Sequence, residues 1–201
     1  MPRVTHVLKA RKDNRVAKKG EPYYWWKPYG SGKQMSASYP KPSQLCSGRK
    51  SEVMATQEGL AESLEANNFD WENPESAFES GKETCEETAE QFREQGQEYN
   101  DGADNMPESL QYGEQAENMR EMGQSLESAA DELDDVEWEC PEFEGDDDPP
   151  MEDDFEEVED FELAEESYKE EYQTWLDDCQ EALGNAVDSA NEAANNVEFM
   201  F

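Results

Sequence analysis

The sequence predicts a mainly α chain, a thin acidic bundle of three to four helices with a small basic, aromatic-rich unit of β or ribbon-like character at its N-terminus. Three observations lead there. The first 50 of 201 residues hold twelve Lys or Arg against Asp13 and Glu21, a net of +10, whereas the rest hold four basic and fifty acidic residues, a net of −46. Beyond Ser51 the apolar residues recur at steps of three and four, the period of a helix face. Leu, Ile, Val and Phe together make only 26 of 201 residues, too few for the core of a large globular enzyme.

The N-terminal unit, residues 1–49, collects Tyr23, Tyr24, Trp25, Trp26, Tyr29 and Tyr39 among Gly20, Pro22, Pro28, Gly30, Gly32, Pro40 and Pro42. Such a stretch favours short strands and turns and excludes a long helix. Residues 50–139 should hold the first three helices. Val53, Gln57, Leu60 and Leu64 mark the first, closed by Asn67 and Asn68. Asn73 before Pro74 reads as the N-cap and first position of the second. Its seam runs Phe78, Lys82, Cys85, Ala89, Phe92, Gly96, Tyr99, with a break at Asp101, Gly102, Asn105 and Pro107. The third seam is Tyr112, Ala116, Met119, Gly123, Leu126, Ala130, Leu133, and its small residues would let helices approach closely. A heptad seam of this kind can be satisfied within the chain or by a second copy, so a homo-oligomer is a further expectation.

Residues 140–155 read as an acidic Pro/Asp linker, and the stretch Glu142–Asp154 as too charged and proline-rich to pack. Residues 156–201 form the last acidic helix, packing on the bundle through Phe161, Ala164, Tyr168, Tyr172, Trp175, Cys179, Ala182, Ala186 and Ala193. The composition also fits a largely disordered chain that folds on a partner, but disorder gives no reason for aromatic residues at every third or fourth position.

The motifs Arg3-Val4-Thr5-His6-Val7, Lys9-Ala10-Arg11, Gly20-Glu21-Pro22-Tyr23-Tyr24-Trp25-Trp26-Lys27 and Lys41-Pro42-Ser43-Gln44-Leu45 carry a resemblance. On them the chain resembles a group of uncharacterised tailed-phage proteins, which continue into acidic helices, an acidic proline-containing linker and a last helix with a tryptophan, here Trp175-Leu176. Only the first 45 residues carry specific motifs. Members of the group place cysteine pairs before the two proline motifs, implying a zinc ribbon, but Asn14–Lys19 and Met35–Tyr39 contain no cysteine. The resemblance therefore implies a ribbon-like unit without its metal, held by its aromatic cluster, and a protein of the host cytoplasm during infection or of the virion.

No cofactor and no metal site is expected. Cys46, Cys85, Cys140 and Cys179 form no C-x-x-C pair, so neither a disulfide framework nor a zinc site is predicted and the thiols are read as reduced. Asp146-Asp147-Asp148 and Glu152-Asp153-Asp154 lack the spacing of a calcium loop and read as solvated charge. One histidine, no G-x-S-x-G and no phosphate loop leave no parts for nucleophilic or phosphoryl chemistry, so the chain is not expected to be an enzyme. No apolar run approaches 18 residues and the first 20 lack an h-region, so neither a membrane span nor a secretory signal is expected.

Two interaction surfaces remain. Lys18, Lys19, Tyr24, Trp26 and Lys27 could form a stacking platform with a cationic track for nucleic acid. The reading ranked above it is that these rings are the only core of a 50-residue unit, and the two combine if Tyr23 and Trp25 point inward and Tyr24 and Trp26 outward on alternate strand faces. The other surface is the last helix. Met151–Asp178 carries fourteen acids and Lys169, about one net charge per 3.2 Å of helix against about one per 3.4 Å of a DNA strand. Glu156, Glu157, Glu159, Asp160, Glu162, Glu165 and Glu166 are the candidate contacts, and the plain alternative is a solvated face.

The leading expectation is thus a non-enzymatic phage protein that mimics DNA and occupies the groove of a basic DNA-binding or defence protein of the host. The alternative is a nucleoprotein or virion-associated module whose basic segment binds nucleic acid or a capsid component. The opposed charges of the two halves also predict that the basic segment docks on the helices, near the last one.

Overall fold

The computed structural model describes residues 2–28, 31–145, 149–151, 158–197 and 199, with the side chains of 158 and 159 outside that description. It is mainly helical with a small sheet at the N-terminus. Strands β1 (Thr5–Val7), β2 (Tyr23–Trp26) and β3 (Gln34–Ser36) make an antiparallel sheet in the order β1-β2-β3, with Thr5 opposite Trp25 and Trp25 opposite Met35. A short helix α1 (Pro42–Leu45) follows, then α2 (Arg49–Ala66), α3 (Pro74–Asp104), α4 (Glu114–Asp134) and α5 (Val158–Asn195).

Local chemistry sets most helix ends. Asn73 is the N-cap of α3 and Pro74 opens it, although the Asn73 side chain donates and accepts no capping bond; Asn67 caps the end of α2. The helix α3 runs on through Asp101 and Gly102 to Asp104, with Asn105 as its C-cap, so the break falls later than the sequence places it; at Gly102 the missing Cβ leaves room for Met119 and Arg49. Tyr112 fits the spacing of the third seam but precedes α4 and is 92% exposed.

The core lies where α2, α3, α4 and α5 converge. The buried residues Val53, Leu60 and Leu64 from α2 meet Cys85, Ala89 and Phe92 from α3, Met122, Leu126 and Leu133 from α4, and Ala190 and Ala193 from α5. The seams are thus filled within one chain. Lys82 is the member of the second seam that stays outside. Helices α3 and α4 pack antiparallel, with Arg93 bridging Asp131 at 2.9 Å and Asp134 at 2.6 Å. Gln57 donates to the Ala194 carbonyl at 2.7 Å and joins α2 to the last turns of α5.

The segment after α4 departs from the expected solvated linker. From Val136 to Gly145, Val136, Trp138, Cys140, Pro141, Phe143 and Gly145 are half-buried while Glu137, Glu139, Glu142 and Glu144 are exposed, an alternation that slips by one residue at Pro141. An extended chain turns alternate side chains to opposite faces, so this strap lays its apolar face on the bundle and its carboxylates in water. Trp138 packs flat on Gly81, where a Cβ would overlap its ring, and Phe143 sits 5.4 Å from Trp175 and 5.6 Å from Tyr172. Asp146–Asp148 and Glu152–Glu157, the carboxylate runs of the linker, lie outside the described residues.

The N-terminal unit meets the helices through α1. Ser43, which is buried, gives its N–H and its hydroxyl to the two oxygens of Glu58 at 2.8 and 2.5 Å, and Lys41 pairs with Glu62. The anchor is therefore α2, where the charge argument placed the dock near α5. Coulombic attraction draws the halves together without choosing a helix, and the serine–carboxylate pair supplies the specificity that attraction lacks.

Candidate functional site

The acidic candidate is the first half of α5. This 38-residue helix is about 57 Å long. Among its described residues none is buried before Leu176. Phe161, Ala164, Tyr168, Tyr172 and Trp175 are half-buried on one stripe, and the ring of Phe143 from the strap meets the last three at 6.0, 5.6 and 5.4 Å. Trp175 Nε1 donates to the Pro141 carbonyl at 2.7 Å and fixes the base of this projecting half.

The candidate contacts divide on this helix. Asp160, Glu162 and Glu166 are exposed on its outer arc, whereas Glu165 is half-buried and accepts from Lys169 at 2.6 Å. Glu159 belongs to α5 with its side chain outside the described residues, and Glu156 and Glu157 lie outside them altogether. Because α5 begins at Val158, the spacing narrows to a shorter span: nine acids against Lys169 up to Asp178, about one net charge per 4 Å at 1.5 Å rise. That remains close to a DNA strand at about 3.4 Å.

The basic candidate is rearranged. Lys18, Lys19 and Lys27 are exposed, and Tyr24 is half-buried with its ring stacked on His6 at 4.4 Å and edge-on to Tyr39 at 5.6 Å. Trp26, expected outside, is 3% exposed and donates its indole N–H to the Gln44 carbonyl at 2.8 Å. Burial along β2 does not alternate as expected, because α1 closes over the Trp26 end. Tyr23 and Trp25 are half-buried, and Lys33 lies over the Trp25 ring at 4.3 Å.

Aromatic packing is only part of what holds this unit. In the loop before β2 the Asn14 side chain accepts the N–H groups of Val16 and Ala17, both at 2.9 Å. Lys19 N–H donates to Asp13 and Lys18 N–H to Glu21, each at 2.7 Å. Short polar side chains thus order the loop by accepting its backbone donors.

A cleft of about 1320 Å³ opens between α3, the strap and α5, floored by Phe78, Trp138 and Ala182 and rimmed by Glu75, Glu79, Glu137 and Glu139. It escapes the sequence because the strap that makes one wall has no helical period. Cys140 also lines it, and Cys179 lies buried beside Cys140. Among the described residues no three His, Cys, Asp or Glu side chains are grouped to hold a metal ion, and no helix is long and apolar enough to cross a membrane. Comparison with protein-family models, with curated proteins and with solved structures yields no match for this chain.

Proposed function

We propose that this chain is a non-enzymatic phage interaction protein whose acidic helical surface takes the place of DNA in the basic groove of a host DNA-binding or defence protein, in the host cytoplasm during infection. The observation that supports this most is the projecting half of α5, a helix held on one stripe by the strap, with Asp160, Glu162 and Glu166 turned outward at nearly the charge spacing of a DNA strand. A partner evolved to grip phosphates reads charge density more than the identity of any one carboxylate, so the attraction is long-ranged and screened by salt.

Capture of a partner from host lysate, followed by competition with DNA, tests this. Single Glu→Gln changes should matter little, while joint neutralisation of five or six among Glu156, Glu157, Glu159, Asp160, Glu162, Glu165 and Glu166 should abolish capture and leave the helix folded. Binding that persists at about 0.5 M salt, where charges are screened within a few ångströms, or a partner whose DNA affinity is untouched by saturating protein, overturns the reading.

A second reading is favoured by the His6–Tyr24–Tyr39 ring cluster beside exposed lysines. In it the basic unit binds nucleic acid or a virion component and the helices mediate assembly. Direct binding of labelled single- or double-stranded DNA at low salt would decide for this one, since a mimic is repelled by DNA.

A further inference from the structure

Cys140 at the end of the strap and Cys179 in the middle of α5 bring their sulfurs to 3.5 Å. They are 39 residues apart in sequence, and both thiols are free. A hydrogen bond and a ring contact that involve neither sulfur hold them there: Trp175 Nε1 to the Pro141 carbonyl at 2.7 Å, and Phe143 against Trp175 at 5.4 Å between ring centroids. A disulfide bond is about 2.0 Å long, so the sulfurs need to close by about 1.5 Å. Cys140 lies outside any helix or strand, so a small displacement of the strap suffices.

The two thiols have unequal access. Cys140 is half-buried and lines the open cleft, whereas Cys179 is 0% exposed. Burial, and after it the hydrogen bond with Cys140, holds the Cys179 proton more tightly than that of an ordinary thiol. Cys46 and Cys85 have other surroundings. Cys46 lies against the Pro42 carbonyl and the Met54 sulfur at 3.3 and 3.4 Å, and Cys85 is buried in the core.

We propose that Cys140 and Cys179 form a reversible dithiol–disulfide site whose co-reactant is a low-molecular-weight disulfide entering through the cleft. Cys140 releases its proton to water, and the thiolate attacks one sulfur of the incoming disulfide. That bond breaks, one half departs as a thiolate and the other stays on Cys140. Cys179 then attacks Cys140 Sγ, forming the internal bond and displacing the second half, which takes up the Cys179 proton as it leaves as a thiol. The two protein thiols are oxidised and the small disulfide leaves as two thiols; excess small thiol reverses both steps. The closed form ties the strap to α5 at the base of its projecting half. This site does not depend on which partner the acidic face meets.

The test uses the full chain, reduced and then equilibrated in native buffer with graded mixtures of oxidised and reduced glutathione, alkylated and weighed intact, with peptides mapped after cleavage at Glu. Expected are the loss of two of the four alkylatable thiols, a Cys140–Cys179 cross-link, and a higher melting temperature in the oxidised form. Cys179→Ser should stop at a glutathione adduct on Cys140, and Cys140→Ser should leave Cys179 unmodified, neither showing the thermal shift. Cys46 serves as the reference thiol. A cross-link that forms only in denaturant, an adduct on Cys140 that wild type never resolves, or equal modification of Cys46 and Cys140 overturns the site. Should Cys179→Ser fold poorly by circular dichroism, the wild-type cross-link in native buffer decides alone.

Discussion

Gly96 of α3 faces Gly123 of α4: a Cβ at Gly96 would lie 3.1 Å from the Gly123 carbonyl oxygen and 3.6 Å from Leu126 Cβ. Backbone rather than a flexible side chain stands in the way, so relief requires the helices to part. Gly96→Val should destabilise the protein by about 1–3 kcal/mol through overpacking. Gly59, in the interior of α2 with nothing within 4 Å of its missing Cβ, should respond oppositely, Gly59→Ala stabilising by about 0.5–1 kcal/mol. Urea denaturation of both variants checks the pair.

Gly81 and Trp138 give a coupled prediction. Since the indole occupies the space a Cβ would need, Gly81→Ala should lift the strap from α3 and Trp138→Ala should empty the same site. Each should cost about 2–4 kcal/mol, and the double variant should cost well below the sum, because the two changes break one contact. A double-mutant cycle by thermal denaturation measures it.

At the joint between the basic unit and α2, Glu58 accepts both the N–H and the hydroxyl of buried Ser43. Glu58→Ala leaves those donors without their acceptor, at a cost of about 1–3 kcal/mol. The expected outcome is faster proteolysis between α1 and α2, with helix content from α3 to α5 unchanged by circular dichroism.

Cys85 sets an alkaline limit. Burial pushes its thiol up to about 11, with the Trp138 indole pulling the other way. The raised value means that the folded state favours the neutral thiol, so this contribution is complete below about pH 9 and is lost as pH rises through about 11. Cys85→Ala should start less stable near neutrality because a buried atom is gone, yet lose about 1–2 kcal/mol less between about pH 9 and 11. Denaturation midpoints across that range show the crossing slopes.

What could be read from the sequence was whatever had a local chemical reason. Asn73-Pro74 and Asn67 marked helix ends, and the steps of three and four placed Leu60, Phe92, Leu126 and Cys179 inside, each at most 2% exposed. Tyr112 kept the step but not the place, because spacing does not say where a helix starts. The strap was lost for a different reason: Val136 to Cys140 alternates with the period of a strand but has no neighbouring strand, and its glutamates resemble the solvated run that follows. Trp26 depended on α1, whose four residues fold over the sheet only in three dimensions. The thiol pair needed the strap first, since nothing in the spacing of Cys140 and Cys179 brings them together.

The bond between Gln57 and Ala194 spans 137 residues, whereas the ion pair of Arg93 with Asp131 spans 38. Closing a longer loop costs more entropy before any contact rewards it, so the α3–α4 hairpin should form early and α5 dock last. On the ribosome this order is enforced, because synthesis proceeds from the N-terminus at about 5–20 residues per second. For several seconds the nascent chain therefore presents Phe78, Phe92 and Leu126 without the helix that covers them. The dense carboxylates of α3 and α4 beside that open face keep one emerging chain from meeting the next.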